Sequence, residues 1–226
     1  MSPLWPERAS VGLCPDRLLM RRGAAEQALG VAPADGASAW RAALDALPVA
    51  LGEKPPRRLD VILSHHFVRY ALLPWNAALQ SEEAWRAYAE HRLAAIYGAP
   101  AAPWALRVAA TAPRGARIAC AVEQALIDAL QTKLRERGVR PASVQPHLMA
   151  AFNRSRRRLR GASCWLVVAE AGRLALALIE RGAWRSLRSR RVDARWREAL
   201  PQLIAREGAL LGEEAPLPPF VASALA

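Results

Sequence analysis

Lysine is almost missing from this chain of 226 residues: of its 32 lysines and arginines only Lys54 and Lys133 are lysine, which leaves 30 arginines. The net charge of +12 and the isoelectric point near 11.1 would ordinarily raise nucleic acid or an anionic membrane as partners. Arginine beside abundant alanine is first of all a compositional habit of a genome. Many arginines here, such as Arg69, Arg86, Arg92 and Arg107, also alternate with apolar residues at strand or helix spacing, where they decorate solvated faces. The densest basic run, 154–160, comes with no aromatic stacking platform and no helix-turn-helix pattern, so nucleic acid is set aside as the expected partner. Cysteine is scarce too. Cys14, Cys120 and Cys164 stand far apart in apolar, strand-like runs, which excludes a disulfide framework and a paired zinc motif and predicts buried free thiols. No run of 18 uncharged apolar residues exists, and the opening MSPLWPERAS has neither a basic nor an apolar leader region, so a cytoplasmic protein is expected.

What is present is enough apolar material for a core: 53% of residues, with a mean hydropathy near zero, in a length that suits one large domain or two small lobes. The most informative stretch is 59–75, LDVILSHHFVRYALLPW. Leu59, Val61 and Leu63 alternate with Asp60, Ile62 and Ser64 as in a strand of a covered sheet; the run 67–73 is rich in β formers and Pro74 ends it. A helix follows from Ser81, with Glu82 and Glu83 in its first turn, a buried stripe of Trp85, Ala89, Leu93 and Ile96, and Gly98 at its end.

The same reading covers the rest. Residues 9–22 predict a hairpin turning at Pro15-Asp16, and 24–37 an irregular connection or a third strand. Ser38 is a candidate N-cap for a helix burying Trp40, Ala43, Leu44 and Leu47. Residues 104–110 and 117–122 flank Pro113-Arg114-Gly115 as a second hairpin; 123–137 is a helix burying Leu126, Ile127, Leu130 and Leu134; 139–144 a short strand; 147–159 a helix closed by Gly161. Strands at 163–170, 173–180 and 183–192 and a helix at 195–208 with Trp196, Leu200, Leu203 and Ile204 on one face follow. The hairpin that opens near Val11 is repeated near Trp165, an internal duplication. Of the eight tryptophans, Trp40, Trp85 and Trp196 fall in helix stripes and are expected in the core, while Trp5, outside any regular element, is free to mark a contact surface.

The signature at 63–75, L-S-H-H-F-V-R-Y-x-L-L-P-W, with the Trp/Tyr helix after it, resembles the actin-like assembly proteins of type IV pilus and type II secretion machines, of the PilM, MshI and GspL cytoplasmic-domain type. The resemblance is carried by residues 59–98; beyond them it is the order of elements. It implies an α/β, RNase H-like, actin-like ATPase fold with two related lobes, residues 1–161 and a shortened 162–226. It further implies a cytoplasmic scaffold or adaptor that binds inner-membrane pilus or secretion-platform proteins, and with them a motor ATPase, and that can itself form oligomers.

An actin-like ATPase grips phosphates with two Asp-x-Gly hairpin turns, whose N–H groups cradle the anion while the acid organises a metal. The first turn here offers Asp16 but no glycine, and Pro15 removes a donor; the second, Glu170-Ala171-Gly172, has Glu for Asp. The expectation is that the nucleotide-binding turns are degenerate, with Asp16, Glu170 and Gly172 as the only candidate cofactor-binding residues, no catalytic residue, no metal site and no cofactor. An active nucleotide-binding ATPase and a basic nucleic-acid-binding module are the alternatives. Ser64-His65-His66 invites a nucleophile or metal reading, but neighbouring strand residues face opposite ways, so imidazoles satisfying backbone groups at a turn are expected. His91 and His147 stand isolated on helices. Strict alternation over 183–192 puts Trp184, Ser186, Arg188 and Arg190 on one face and Arg185, Leu187, Ser189 and Arg191 on the other, too charged for a central strand. An edge strand results, with Arg185, Arg188 and Arg190 as candidate contacts for an acidic partner.

Overall fold

The computed structural model describes residues 9–32, 39–99, 103–110, 114–212 and 217–225; Trp5 and Ser38 lie outside them. The opening hairpin is β1 (Ala9–Leu13) and β2 (Arg17–Arg22), and the undecided stretch after Gly23 is a third strand, β3 (Ala25–Gly30). Helix α1 (Trp40–Leu51) buries Trp40, Ala43, Leu44 and Leu47 at the expected spacing; its N-cap position is Ala39, with no side-chain cap. Then come β4 (Arg58–Leu63), β5 (Val68–Leu73), α2 (Glu82–Tyr97), β6 (Trp104–Ala110), β7 (Arg117–Glu123), α3 (Gln124–Glu136), β8 (Arg140–Pro146) and α4 (His147–Leu159). The chain continues as β9 (Cys164–Glu170), β10 (Arg173–Glu180), β11 (Ala183–Arg191), α5 (Trp196–Leu211) and β12 (Pro219–Ala222).

These strands make three sheets, in the orders β3-β2-β1-β4-β8, β11-β10-β9-β12 and β5-β7-β6. The first two repeat one plan: an antiparallel meander of three strands, a helix, and a fourth strand laid parallel to the first, β4 beside β1 and β12 beside β9. Val11 and Trp165 are both fully buried in the first strand of their sheets. Strand β12 carries little sequence signal, being four residues beside prolines. Helix α4 packs on β4 and β8 of the first sheet and on β9 and β12 of the second, so it lies between the two repeats. All three thiols are buried and unpaired, and burial pushes Cys14 and Cys120 up to about 12.

Two expected phases are corrected. Helix α2 covers the small third sheet with Trp85, Ala89 and Leu93, but Ile96 is 51% exposed. The stripe runs at i+4, and its next member is Tyr97, whose hydroxyl donates to the carbonyl of Tyr70 at 3.1 Å and accepts from its N–H at 3.3 Å. The second correction is in β11. Its pairing with β10 shifts register so that Ile179 faces Trp184 while Leu178 faces Ser186, which leaves Arg185 as the extra residue of a bulge. Trp184 therefore shares a face with Leu187 and packs on Phe152 of α4 at 4.9 Å, whereas Ser186, Arg188 and Arg190 face α5 with Leu174, Leu176 and Leu178. Strand β11 does end its sheet, as expected, yet β5 runs beside it.

Trp85 is 1% exposed, stacks on Trp75 at 5.9 Å and lies under the Arg117 guanidinium at 4.3 Å; its indole N–H finds no hydrogen-bond partner among the described residues. Trp85→Ala is expected to lower the unfolding free energy by about 3 to 5 kcal/mol in urea titration. Trp85→Phe keeps most of the apolar contact and forfeits no hydrogen bond, so it should cost well under half of that.

Candidate functional site

The carboxyl ends of β1, β4, β9 and β12 converge, and in open α/β sheets such crevices are where ligands bind. Here the two repeats meet across a buried polar cluster. Ser64 follows β4 directly, its N–H fixed to the carbonyl of Leu13 at 3.0 Å. Its hydroxyl donates to Glu170 Oε1 at 2.6 Å and accepts from the N–H of His66 at 3.1 Å. Glu170 ends β9, and its other oxygen receives His147 Nδ1 at 3.3 Å from the first turn of α4. The N–H of Ala224 donates to His147 Nε2 at 3.1 Å, which makes that nitrogen the acceptor and places the ring proton on Nδ1, toward Glu170. Ser223 Oγ stands 3.3 Å from the same Nε2.

His65 stacks on His147 with centroids 4.9 Å apart. Its Nε2–H donates to the carbonyl of Val168 at 3.2 Å, and Nδ1 accepts from the Tyr70 hydroxyl at 3.0 Å. His66 turns the other way and donates from Nε2 to the carbonyl of Ala171 at 2.8 Å. As the sequence led us to expect, both imidazoles satisfy backbone groups; those groups belong to the second repeat rather than to their own turn. Consecutive residues on opposite faces of one junction thus grip both the end of β9 and the β9–β10 turn.

Electrostatics follow from burial. Desolvation pushes His65 down to about 4, so the ring is neutral, matching its one donor and one acceptor. Burial alone raises Glu170, but the hydrogen bond from His147, the nearby His65 ring and the Ser64 hydroxyl together bring its carboxyl below the ordinary value. The carboxylate is held ionised, with side-chain exposure of 6%. Ser64 donates to the carboxylate and not to an imidazole, and it is fully buried, so the trio lacks the geometry of an activated nucleophile.

Of the candidate cofactor-binding residues, Glu170 and Gly172 adjoin this cluster and Asp16 does not take part in it. Asp16 faces Arg17 at 3.9 Å, and its carbonyl receives the N–H of Val31. In the first turn the N–H of Cys14 is spent on the carbonyl of Arg17 at 3.0 Å. In the second, Gly172 has φ 74°, and a Cβ there would stand 3.6 Å from the His66 ring. Ser64, His147 and Ser223 escaped sequence reasoning as a group. The signal that could have found them is the repeat itself: Ser64 and Ser223 each follow the parallel fourth strand of their sheet.

The candidate partner arginines are engaged within the chain. Arg185 pairs with Glu180 at 3.0 Å, Arg190 pairs with Glu207 of α5, and Arg188 lies 3.6 Å from the same carboxylate, which is 2% exposed. The bulge at Arg185 is what turns Arg188 and Arg190 toward Glu207. Among the described residues no group of histidine, cysteine and carboxylates is arranged to hold a metal, and no helix is long and apolar enough to cross a membrane.

No protein-family model matches the chain, and no curated protein matches it significantly. Solved structures do. The chain is similar to a Bacteroides thetaiotaomicron protein with an actin-like ATPase fold and unknown function, at 12% identity over 96% of this chain and 81% of that one, with a TM-score of 0.63. It is similar to a chain of a PilM–PilN type IV pilus biogenesis complex, at 19% identity over 92% of this chain and 68% of that one, TM-score 0.59. It is also similar to the cytoplasmic domain of EpsL, an inner-membrane component of the type II secretion system of Vibrio cholerae, at 15% identity over 95% and 81%, TM-score 0.58. The chain has an actin-like ATPase fold, with the second repeat the shorter one.

Two outcomes follow from these contacts. The unfolded chain protonates His65 near pH 6.5 and Glu170 near 4.5, while the folded chain resists both. Stability present at neutral pH is therefore lost as pH falls from 6.5 toward 4, and goes on falling below 4.5. His65 contributes at most about 3 kcal/mol to that loss; urea titrations across this range should show His65→Gln flattening the upper part and Glu170→Gln the lower. Arg190→Met, which leaves Glu207 buried beside only the more distant Arg188, should cost about 3 to 5 kcal/mol, and adding Glu207→Met should recover most of it.

Proposed function

We propose that this chain is a scaffold or adaptor of the inner-membrane assembly platform of a type IV pilus or type II secretion machine, working by protein–protein binding from the cytoplasmic side. The observation that carries the proposal is the cluster of Ser64, His66, His147 and Glu170, which fills with side chains the crevice an actin-like ATPase keeps for phosphates. The turn N–H groups a phosphate needs are spent or missing at Cys14 and Pro15, and both oxygens of Glu170 are engaged by Ser64 and His147 rather than free to organise a metal. The likeness to PilM and to the EpsL cytoplasmic domain supports the assignment to an assembly platform. So does the signature at 63–75, because it is the segment that joins the two repeats. Partners are platform proteins of the inner membrane and, through them, the motor ATPase; the nucleotide crevice is degenerate, with no cofactor.

Thermal unfolding with and without millimolar Mg-ATP tests the crevice. A site of micromolar affinity would add about 4 kcal/mol; no shift in Tm and no hydrolysis above background are expected, and a saturable shift would favour the ATPase alternative. Crosslinking of the tagged chain in its native cells tests the scaffold role. Recovery of an inner-membrane pilus or secretion component is expected, and recovery of nucleic acid alone would overturn it.

A further inference from the structure

Five arginines line one groove: Arg154 donates to the carbonyl of Ala224 at 2.8 Å, and the other four have no counter-ion among the described residues. The last turns of α4 contribute Arg156, Arg157 and Arg160, the turn between β10 and β11 contributes Arg181, and Met149 and Phe152 supply an apolar floor in a groove of about 1110 Å³. Some arginines elsewhere find carboxylates, as Arg21 does Glu26, Arg185 Glu180 and Arg190 Glu207, and others such as Arg22 and Arg137 are held by backbone carbonyls; what sets the groove apart is the convergence of several guanidinium groups on one concavity. Offsetting the helix dipole is not a sufficient reason for them, since the carboxyl end of a helix carries only about half a negative charge.

The fold holds these like charges together by main-chain contact. Gly182 donates its N–H to the carbonyl of Ala162 at 2.8 Å, and a Cβ on Gly182 would come within 2.9 Å of the N of Gly161, so the turn sits directly on the end of α4. Both turn residues are left-handed, Arg181 at φ 49° and Gly182 at φ 79°. At the first position of such a turn asparagine, aspartate or glycine is the unstrained choice. Arginine stands there against backbone preference and against the neighbouring positive charges.

We infer that this groove docks an acidic, extended segment of another protein, carboxylates on the arginines and apolar side chains on the floor. The inference rests on the reading of the chain as a protein-binding scaffold and adds a place and a chemistry to it. Concavity favours a peptide over a bilayer, whose headgroup plane cannot enter. Single-stranded nucleic acid needs open aromatic faces, and the Phe152 ring is turned onto Trp184. The volume, at the upper end of that of ligand pockets, accommodates several residues of extended chain.

Fluorescence anisotropy on the full chain tests this with a labelled peptide alternating glutamate and leucine, and with a control in which glutamine replaces glutamate. The acidic peptide is expected to bind about tenfold or more tightly than the control and to weaken as salt rises. Arg157→Glu with Arg181→Glu should lower affinity by more than tenfold, whereas Arg158→Glu, exposed on the same turn but outside the groove, should leave it unchanged. Arg181→Asn is the guard against misfolding, because it suits the turn better: it should raise Tm while weakening the peptide. Absence of binding at low salt, equal loss with Arg158→Glu, or displacement of the peptide by phosphatidylserine vesicles or single-stranded RNA at lower concentrations than unlabelled peptide would overturn the inference. If the peptide fails to bind while the chain still captures a platform component, the groove is wrong and the scaffold role stands; the converse result separates them the other way.

Discussion

A single buried carboxylate, that of Glu170, sets the terms on which the two repeats of this chain meet. An ionised group with only 6% of its side chain exposed cannot be left without partners, and every partner it has comes from another element: Ser64 from the junction after β4, and His147 from the first turn of α4. His147 is in turn fixed by Ala224, and His65 is stacked on it while holding Val168. Six residues, on four segments of the chain, are thereby made to agree on one geometry. Removing any one of them leaves a polar group in a place water does not reach, so the cluster rewards a single relative placement of the sheets more than it adds net stability.

On the proposed reading, that placement is why the fold is that of an ATPase while its crevice is filled by side chains. Phosphate cradles work by keeping donors unspent and space open until the ligand arrives. Here the N–H of Cys14 in the first turn is spent on Arg17, and the His66 ring lies against Gly172 of the second. Such a chain is suited to presenting a fixed surface.

Most of the architecture was legible because it rests on local periodicity. The stripe Trp40, Ala43, Leu44 and Leu47, the Ser81 cap and the span of α4 need only the 3.6-residue repeat and end signals. Three things were not legible. The bulge at Arg185 changes the phase of β11 without altering its composition, so strict alternation put Trp184 on the wrong side. Contacts of the cluster span sequence separations of 23 to 106 residues, and no periodicity links Ser64 to Glu170 or His147 to Ser223. Strand β12 was missed for a related reason: four residues beside prolines become a strand only because β9 offers an edge.

The extra residue in β11 carries a lesson about insertions and deletions. Side chains on a strand alternate with period two, so one added residue exchanges the inward and outward sets beyond it unless a bulge absorbs it. In this chain Arg185 is that addition: upstream of it Trp184 reaches α4, downstream of it Arg188 and Arg190 reach Glu207. A chain that lost Arg185 would still pair Trp184 with Ile179 and Ser186 with Leu178, now as a regular ladder, so every other side chain would keep its face and Arg188 and Arg190 would still meet Glu207. A strand of the same length without the bulge is what would turn the two guanidinium groups into an apolar seam, so the kink at Arg185 matters to β11 and the residue that fills it does not.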